Sequence, residues 1–402
     1  MSFRHGLDVL LNDSSLQNEL KGKRVAVLAH PASMSSDFEF SIDAISKIPG
    51  VKVTAAFGPQ HGMRGEKQDN MVETEDYVDP VYKIPVFSLY GEVRRPTEKM
   101  FSNFDVLLCD MQDVGTRIYT FLTTLLYVLE AGAKFKKTVW ILDRPNPAGR
   151  PIEGSLLKPG WVSFVGAAER IPMRHGLTLG EFANWFVKEL KIDVDYKVIK
   201  MQGYKPNLAP GFGWPESVAW VNPSPNAANV NMARAFPGTV MLEGTNLSEG
   251  RGTTRPLEVI GAPDIDGLAL LKKMESIAPQ WMKGAKLRAC YFQPTFHKHA
   301  GKMCGGFQIH TDHPSYNQEQ FQPYRLLTLA FKAVREINPD YQIWRDFHYE
   351  YEKDRLAIDL INGGPSMREW VDNRSAVASD FDKLVQPDEK QWAAIREPYL
   401  LY

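Results

Sequence analysis

The feature that most constrains this chain is a rhythm in its first 150 residues. Short apolar runs alternate with helical patterns, and each run ends in a polar loop shaped by Gly or Pro. The runs are Val25–Ala29, Val51–Phe57, Val86–Ser88, Val106–Cys109 and Thr138–Leu142. Between them, Phe38, Ile42, Ile45 and Ile48 have the spacing of a helix over 38–48, with Asp37 as its expected N-cap. Tyr119–Ala133 reads as a second helix, with Gly132 near its end. Strands alternating with helices predict a mostly parallel sheet covered on both faces.

In such a sheet, ligands bind outside the carboxyl ends of the strands. The loops there are His30-Pro31-Ala32, Gly58–Gly65, Tyr90-Gly91-Glu92, Asp110–Arg117 and Asp143–Pro147. Five such loops converge on one rim, and that rim is where the site is expected.

Beyond about Pro151 the pattern changes. Thr178-Leu179-Gly180-Glu181 is a capping box opening a helix over Phe182–Leu190. Residues 202–226 are rich in Pro and Trp, too rigid for a disordered linker. Helices are predicted over Gly267–Ile277 and Tyr324–Ile337, and strands over Lys286–Gln293 and Gly305–Thr311. The expected architecture is α/β: a Rossmann-like, mostly parallel sheet domain over 1–160, then a smaller α/β (α+β) domain over 161–402, with the site in the cleft between them. A chain of 402 residues has room for two such domains and needs no disulfide or metal to fold.

Charge excludes several classes. Lys+Arg number 47 against 48 Asp+Glu, a net charge of −1, so no global basic field exists for nucleic acid or an anionic membrane. Three cysteines are too few for a disulfide framework, and no apolar run is long enough to span a bilayer. Met1–Leu11 has no apolar leader core. A soluble, cytoplasmic protein with no nucleic-acid or membrane partner is expected; the oligomeric state is left open. Gly-x-Gly-x-x-Gly after the first strand, a Walker A loop and a Gly-x-Ser-x-Gly elbow are all missing. His297, His299, His310 and His313 lie near Cys290 and Cys304, but their spacing matches no closed zinc site, so no metal is expected.

The loops are rich in acids: Asp110, Asp113, Asp143, Glu243 and Glu249. Glycosidic hydrolysis commonly needs two carboxyl groups, one protonated and one ionised, and crowding or burial holds one pKa up. The plainer reading is that such aspartates cap helices or tie down loops. Arg64, Arg117, Arg144 and Arg251 share these loops, and their forks suit an anionic substrate unless they pair internally. Gly115, Gly250 and Gly252 allow tight turns there. Tyr90, Tyr119, Trp214 and Trp220 either stack on sugar rings or pack in the core.

Gly58-Pro-Gln-His-Gly, Ser88-Leu-Tyr-Gly, Gln112-Asp-Val-Gly-Thr-Arg, Asp143-Arg-Pro-Asn-Pro, Glu243-Gly-Thr-Asn and Ser248-Glu-Gly-Arg-Gly-Thr resemble one bacterial family, as do Gly261-Ala-Pro and Tyr399-Leu-Leu-Tyr. That family includes the NamZ-type exo-β-N-acetylmuramidases, which trim terminal N-acetylmuramic acid from peptidoglycan fragments. The likeness runs from Gly6-Leu-Asp-Val-Leu to Tyr402. It implies an exo-acting glycosidase on a saccharide or peptidoglycan fragment, with no cofactor or metal. Asp113 and Glu249 are then the nominated catalytic acids, with His61 and Asp110 orienting substrate or a proton carrier. Gln60, Arg64, Glu66, Gln112, Arg117, Tyr119, Asp143, Arg144, Asn146, Glu243, Asn246 and Arg251 are nominated to bind substrate. One position departs from the family: the muramidases carry Glu where this chain has Gln60, which cannot ionise. Either another acid such as Glu66, Asp113 or Glu249 serves, or the substrate's acetamido group assists, or the protein binds a sugar without cleaving it. An enzyme on another acidic sugar, such as a phosphosugar, is the remaining alternative.

Overall fold

The structure is a computed structural model and describes residues 2–69, 71–350 and 352–402. Its larger sheet contains β1 (Arg24–Leu28), β2 (Lys52–Gly58), β3 (Tyr77–Val78), β4 (Pro85–Ser88), β5 (Val106–Cys109), β6 (Thr138–Leu142) and β7 (Tyr196–Ile199), in the order β3-β4-β2-β1-β5-β6-β7. All neighbours pair in parallel except β3 with β4. With β3 set aside, the order is that of the Rossmann fold, and its direction reverses between β1 and β5.

Both faces of the sheet are buried, which is why its strands read as unbroken apolar runs rather than alternating ones. Ala26, Leu28, Phe57, Leu107 and Ile141 pack beneath the helices Phe121–Phe135 and Leu179–Glu189. Val25, Val27, Ala56, Leu108 and Trp140 face the opposite layer, with Leu7, Leu10, Ile42 and Ile45. The helix expected over 38–48 is shorter, Ser41–Ser46, and Asp37 does not cap it. Phe38 adopts a left-handed backbone (φ 59°), which turns the chain before the helix can start.

A second, antiparallel sheet has β10 (Cys304–His310) between β8 (Val259–Ala262) and β9 (Lys286–Phe292). The helices Gly267–Ile277 and Pro323–Ile337 share a core with it that includes Phe307, Ile309, Leu327 and Phe331.

The seam expected at residue 160 lies elsewhere. β7 extends the first sheet to Ile199, and the chain's last helix, Ala378–Arg396, returns to put Trp392 against Phe182 and Trp185. Leu401 N–H then donates to Glu181 (2.8 Å), and the Tyr402 hydroxyl donates to Asp143 (2.8 Å). Among the described residues no helix is long and apolar enough to cross a membrane.

Candidate active site

The loop after β2 carries Gln60 and His61 inward to one wall of a cleft of about 480 Å³, a volume that includes its open mouth. Tyr119 and Thr120, leading into the helix Phe121–Phe135, continue that wall. Ser224 and Asn226 come from the Pro-rich connection. The facing wall is Phe236, Val240, Glu243, Arg251, Leu257, Tyr349 and Glu350, from the C-terminal half. The cleft therefore opens between the two halves of the chain, at the carboxyl edge of the parallel sheet, as doubly wound folds place their ligands.

Three of its residues, His61 (φ 71°), Leu257 (φ 63°) and Glu350 (φ 46°), hold a left-handed backbone without being glycine. Such conformations cost on the order of 1–3 kcal/mol each and persist where surrounding structure enforces them.

The Thr120 hydroxyl donates to Gln60 Oε1 at 2.6 Å. His61 Nδ1 lies 2.8 Å from the Lys67 carbonyl, which only accepts, so Nδ1 carries the proton and Nε2 is left as an acceptor. Burial pushes the imidazole down to about 4, and the nearby Arg251 charge adds to that, so the ring is neutral at pH 7. Arg251 donates to Glu249 Oε1 (2.7 Å) and Glu243 Oε1 (2.8 Å), while the Tyr349 hydroxyl donates to Glu243 Oε2 (2.7 Å). The Tyr90 hydroxyl donates to Glu350 Oε2 at 2.8 Å. Burial pushes the Glu350 carboxyl up to about 7, with the Glu243 charge adding to the rise and the Tyr90 bond opposing it. The cleft thus contains a carboxyl that exchanges its proton near neutrality, beside a second acid fixed by a guanidinium and a phenol.

Of the residues nominated from sequence, Gln60, His61, Tyr119, Glu243 and Arg251 meet at this cleft. The others lie elsewhere, for physical reasons. Glu249 is 1% exposed, and burial alone would push its carboxyl up, but Lys298 (2.8 Å), His297 and Arg251 hold it well below the usual range. It has no proton to donate. Asp113 accepts from Gly115 N–H (2.6 Å) and faces His175 (3.4 Å). Gly115 is required there: its φ is 81°, and a Cβ would come within 2.2 Å of Asn146 Oδ1. Asp110 is fully buried against Arg144 at 2.5 and 2.9 Å. Asp143 accepts from Thr178, Gly180 and Tyr402, and burial, with Glu181 close by, pushes it up to about 6.

Arg64 pairs with Asp79, and Arg117 is wrapped by the carbonyls of Ser155, Ile171, Ile361 and Asn362. Gln112 donates to Pro145 and Asp113 carbonyls, Asn146 braces its own turn, and Asn246 donates to the Gln342 carbonyl. Glu66 is exposed beside Tyr77. Of the four loop arginines, only Arg251 lines the cleft, and it is committed to two carboxylates. His297 lies beside Glu249 and His299 bonds the Asn246 carbonyl, while Cys290 and Cys304 are out of register on adjacent strands. Sequence reasoning missed Thr120, Ser224, Tyr349 and Glu350. The one available signal for the last two was the alternation of aromatic and acid in Tyr349-Glu350-Tyr351-Glu352.

A Rossmann-ordered sheet with a cleft lined by acids and tyrosines at its carboxyl edge defines a doubly wound α/β protein with a polar ligand cleft. The chain belongs to the exo-β-N-acetylmuramidase NamZ family: the family's N-terminal model matches residues 25–231 and its C-terminal model 234–402. It is 37% identical over 401 residues to the peptidoglycan β-N-acetylmuramidase NamZ of Bacillus subtilis (strain 168), covering 99% of this chain and 91% of that protein. Two crystal structures of DUF1343 family proteins from Bacteroides fragilis NCTC 9343 also match, each over 100% of this chain and 99% of its own. One has TM-score 0.85 at 26% identity, the other 0.72 at 25%. The two family models meet between residues 231 and 234.

Proposed function

We propose that this chain hydrolyses the glycosidic bond of a terminal N-acetylmuramic acid in peptidoglycan fragments, with Glu350 as the proton donor. The observation that carries the reading is the Glu350 carboxyl, buried in the cleft and raised to about 7. A general acid works best when its pKa lies near the working pH. Glu350 gives its proton to the departing oxygen as the bond from that oxygen to the sugar's anomeric carbon breaks. Gln60 cannot ionise, so the group that closes on the anomeric carbon is the substrate's own 2-acetamido oxygen, a recognised exception to the two-carboxylate rule. Water then attacks that carbon as its bond to the acetamido oxygen breaks, reopening the acetamido group, and a proton of that water returns to Glu350. Glu243, fixed by Arg251 and Tyr349, places negative charge beside the cationic sugar of the transition state. Incubation with a chromogenic β-N-acetylmuraminide tests this: release of the chromophore is expected, and a folded protein that releases none would refute it.

A second reading rests on Gln60 itself, bonded to Thr120 where the muramidases have a carboxylate. It makes the chain a saccharide-binding protein without turnover. Activity that is absent in the wild type and present in Gln60→Glu would favour that reading.

A further inference from the structure

Tyr119 has its ring packed against Phe121 (4.7 Å between centroids) and edge-on to Phe236 (6.1 Å), so it does not offer a face for a sugar to stack on. Tyr119 lines the cleft; its hydroxyl is buried and has no partner in full hydrogen-bond geometry among the described residues, and Ser224, another cleft residue, is near enough to interact with it. Leaving a buried hydroxyl unsatisfied costs about 1–3 kcal/mol. Gln60 commits its carbonyl oxygen to Thr120, and its amide nitrogen has no acceptor among the described residues. Two residues with neutral donors therefore line the same cleft. The cationic groups near them are not available to a ligand: Arg251 is held by Glu243 and Glu249, and His61 offers a lone pair.

We infer that Tyr119, with Gln60 beside it, is a positioning residue whose hydroxyl donates to a carbonyl-type oxygen of the bound amino sugar. This rests on the saccharide reading above but not on turnover. Two groups of such a sugar present that chemistry, the lactyl carboxylate and the acetamido carbonyl, and both are acceptors only. Neutral donors suit either, and they set the sugar's orientation without burying a further charge.

The test is calorimetric binding of three free sugars to wild type and Tyr119→Phe. The sugars are N-acetylmuramic acid, N-acetylglucosamine (which lacks the lactyl group) and muramic acid (which lacks the acetyl group). Loss of one good hydrogen bond predicts N-acetylmuramic acid binding about tenfold weaker in the variant. If the lactyl carboxylate is held, N-acetylglucosamine is indifferent to the substitution; if the acetamido carbonyl is held, muramic acid is. An equal penalty on all three sugars would mean a merely structural role and would overturn the inference. So would no penalty, or no binding of any of the three. Because binding alone is read, a sugar-selective penalty in a protein without turnover would refute the hydrolytic reading and leave this one standing.

Discussion

Glu350 and Glu249 show how environment shifts the same side chain in opposite directions. Lys298, His297 and Arg251 surround Glu249, whereas Glu350 has one phenol donor and an acidic neighbour. Glu350→Gln should lower kcat by about 10²–10⁴-fold, the usual contribution of a general acid. The wild-type kcat/KM should fall as pH rises through about 7, and the variant should lack that limb. The same group makes a stability prediction. Its folded pKa of about 7 lies above the ordinary 4.5, so the folded state binds the extra proton between those values. The contribution of Glu350 to stability therefore declines as pH rises from about 4.5 to about 7. Glu350→Gln should thus gain on wild type across that window, by on the order of 2–3 kcal/mol in urea denaturation at pH 8 relative to pH 4.5. None of this was legible in the sequence, because Glu350 sits in no motif and its raised pKa comes first from burial, and then from Glu243, distant in the chain. The partners of Arg64, Arg117 and Arg144 were not legible either, because they lie 15 or more residues away in the chain.

Local signals carried the elements they could reach. The capping box at Thr178 is present as read: its hydroxyl accepts from Glu181 N–H (3.2 Å), and Glu181 accepts from Thr178 N–H (2.9 Å). Thr178→Ala should destabilise the protein by about 1–2 kcal/mol by thermal or urea unfolding, more than an isolated cap, since the hydroxyl also donates to buried Asp143. The five parallel strands expected before residue 150 were legible because burial on both faces leaves continuous apolar runs. β7 was not, because Tyr196–Ile199 is an edge strand with one fully buried residue and no such run. β3, at two residues, is too short for any period to register.

At the scale of the whole molecule, the two halves are joined by polar ties as well as by apolar packing. Arg117, fully buried, carries a guanidinium in no ion pair among the described residues; burial lowers it to about 10, and four carbonyls from both sides of the seam hold it. Two of them, Ile361 and Asn362, end the helix Ala357–Asn362, where the helix dipole favours a cation. Arg117→Met should cost on the order of 3 kcal/mol or more in urea denaturation, because it leaves several buried carbonyls without a donor. The two-unit plan and the cleft between the units were legible from the loops. The seam's position was not, since the returning helix and the Tyr402–Asp143 bond are long-range contacts with no local signature.

The left-handed backbone at His61, Leu257 and Glu350 has a practical corollary for anyone seeking a hardier variant. Glycine is the natural relief for such a conformation, and a stability screen blind to activity would select it at these positions. At His61 and Glu350 the gain in melting temperature would come with the loss of the imidazole or the carboxyl that lines the cleft. A durability campaign on this protein should therefore exclude the cleft and work on the outer helices, where robustness and chemistry do not compete.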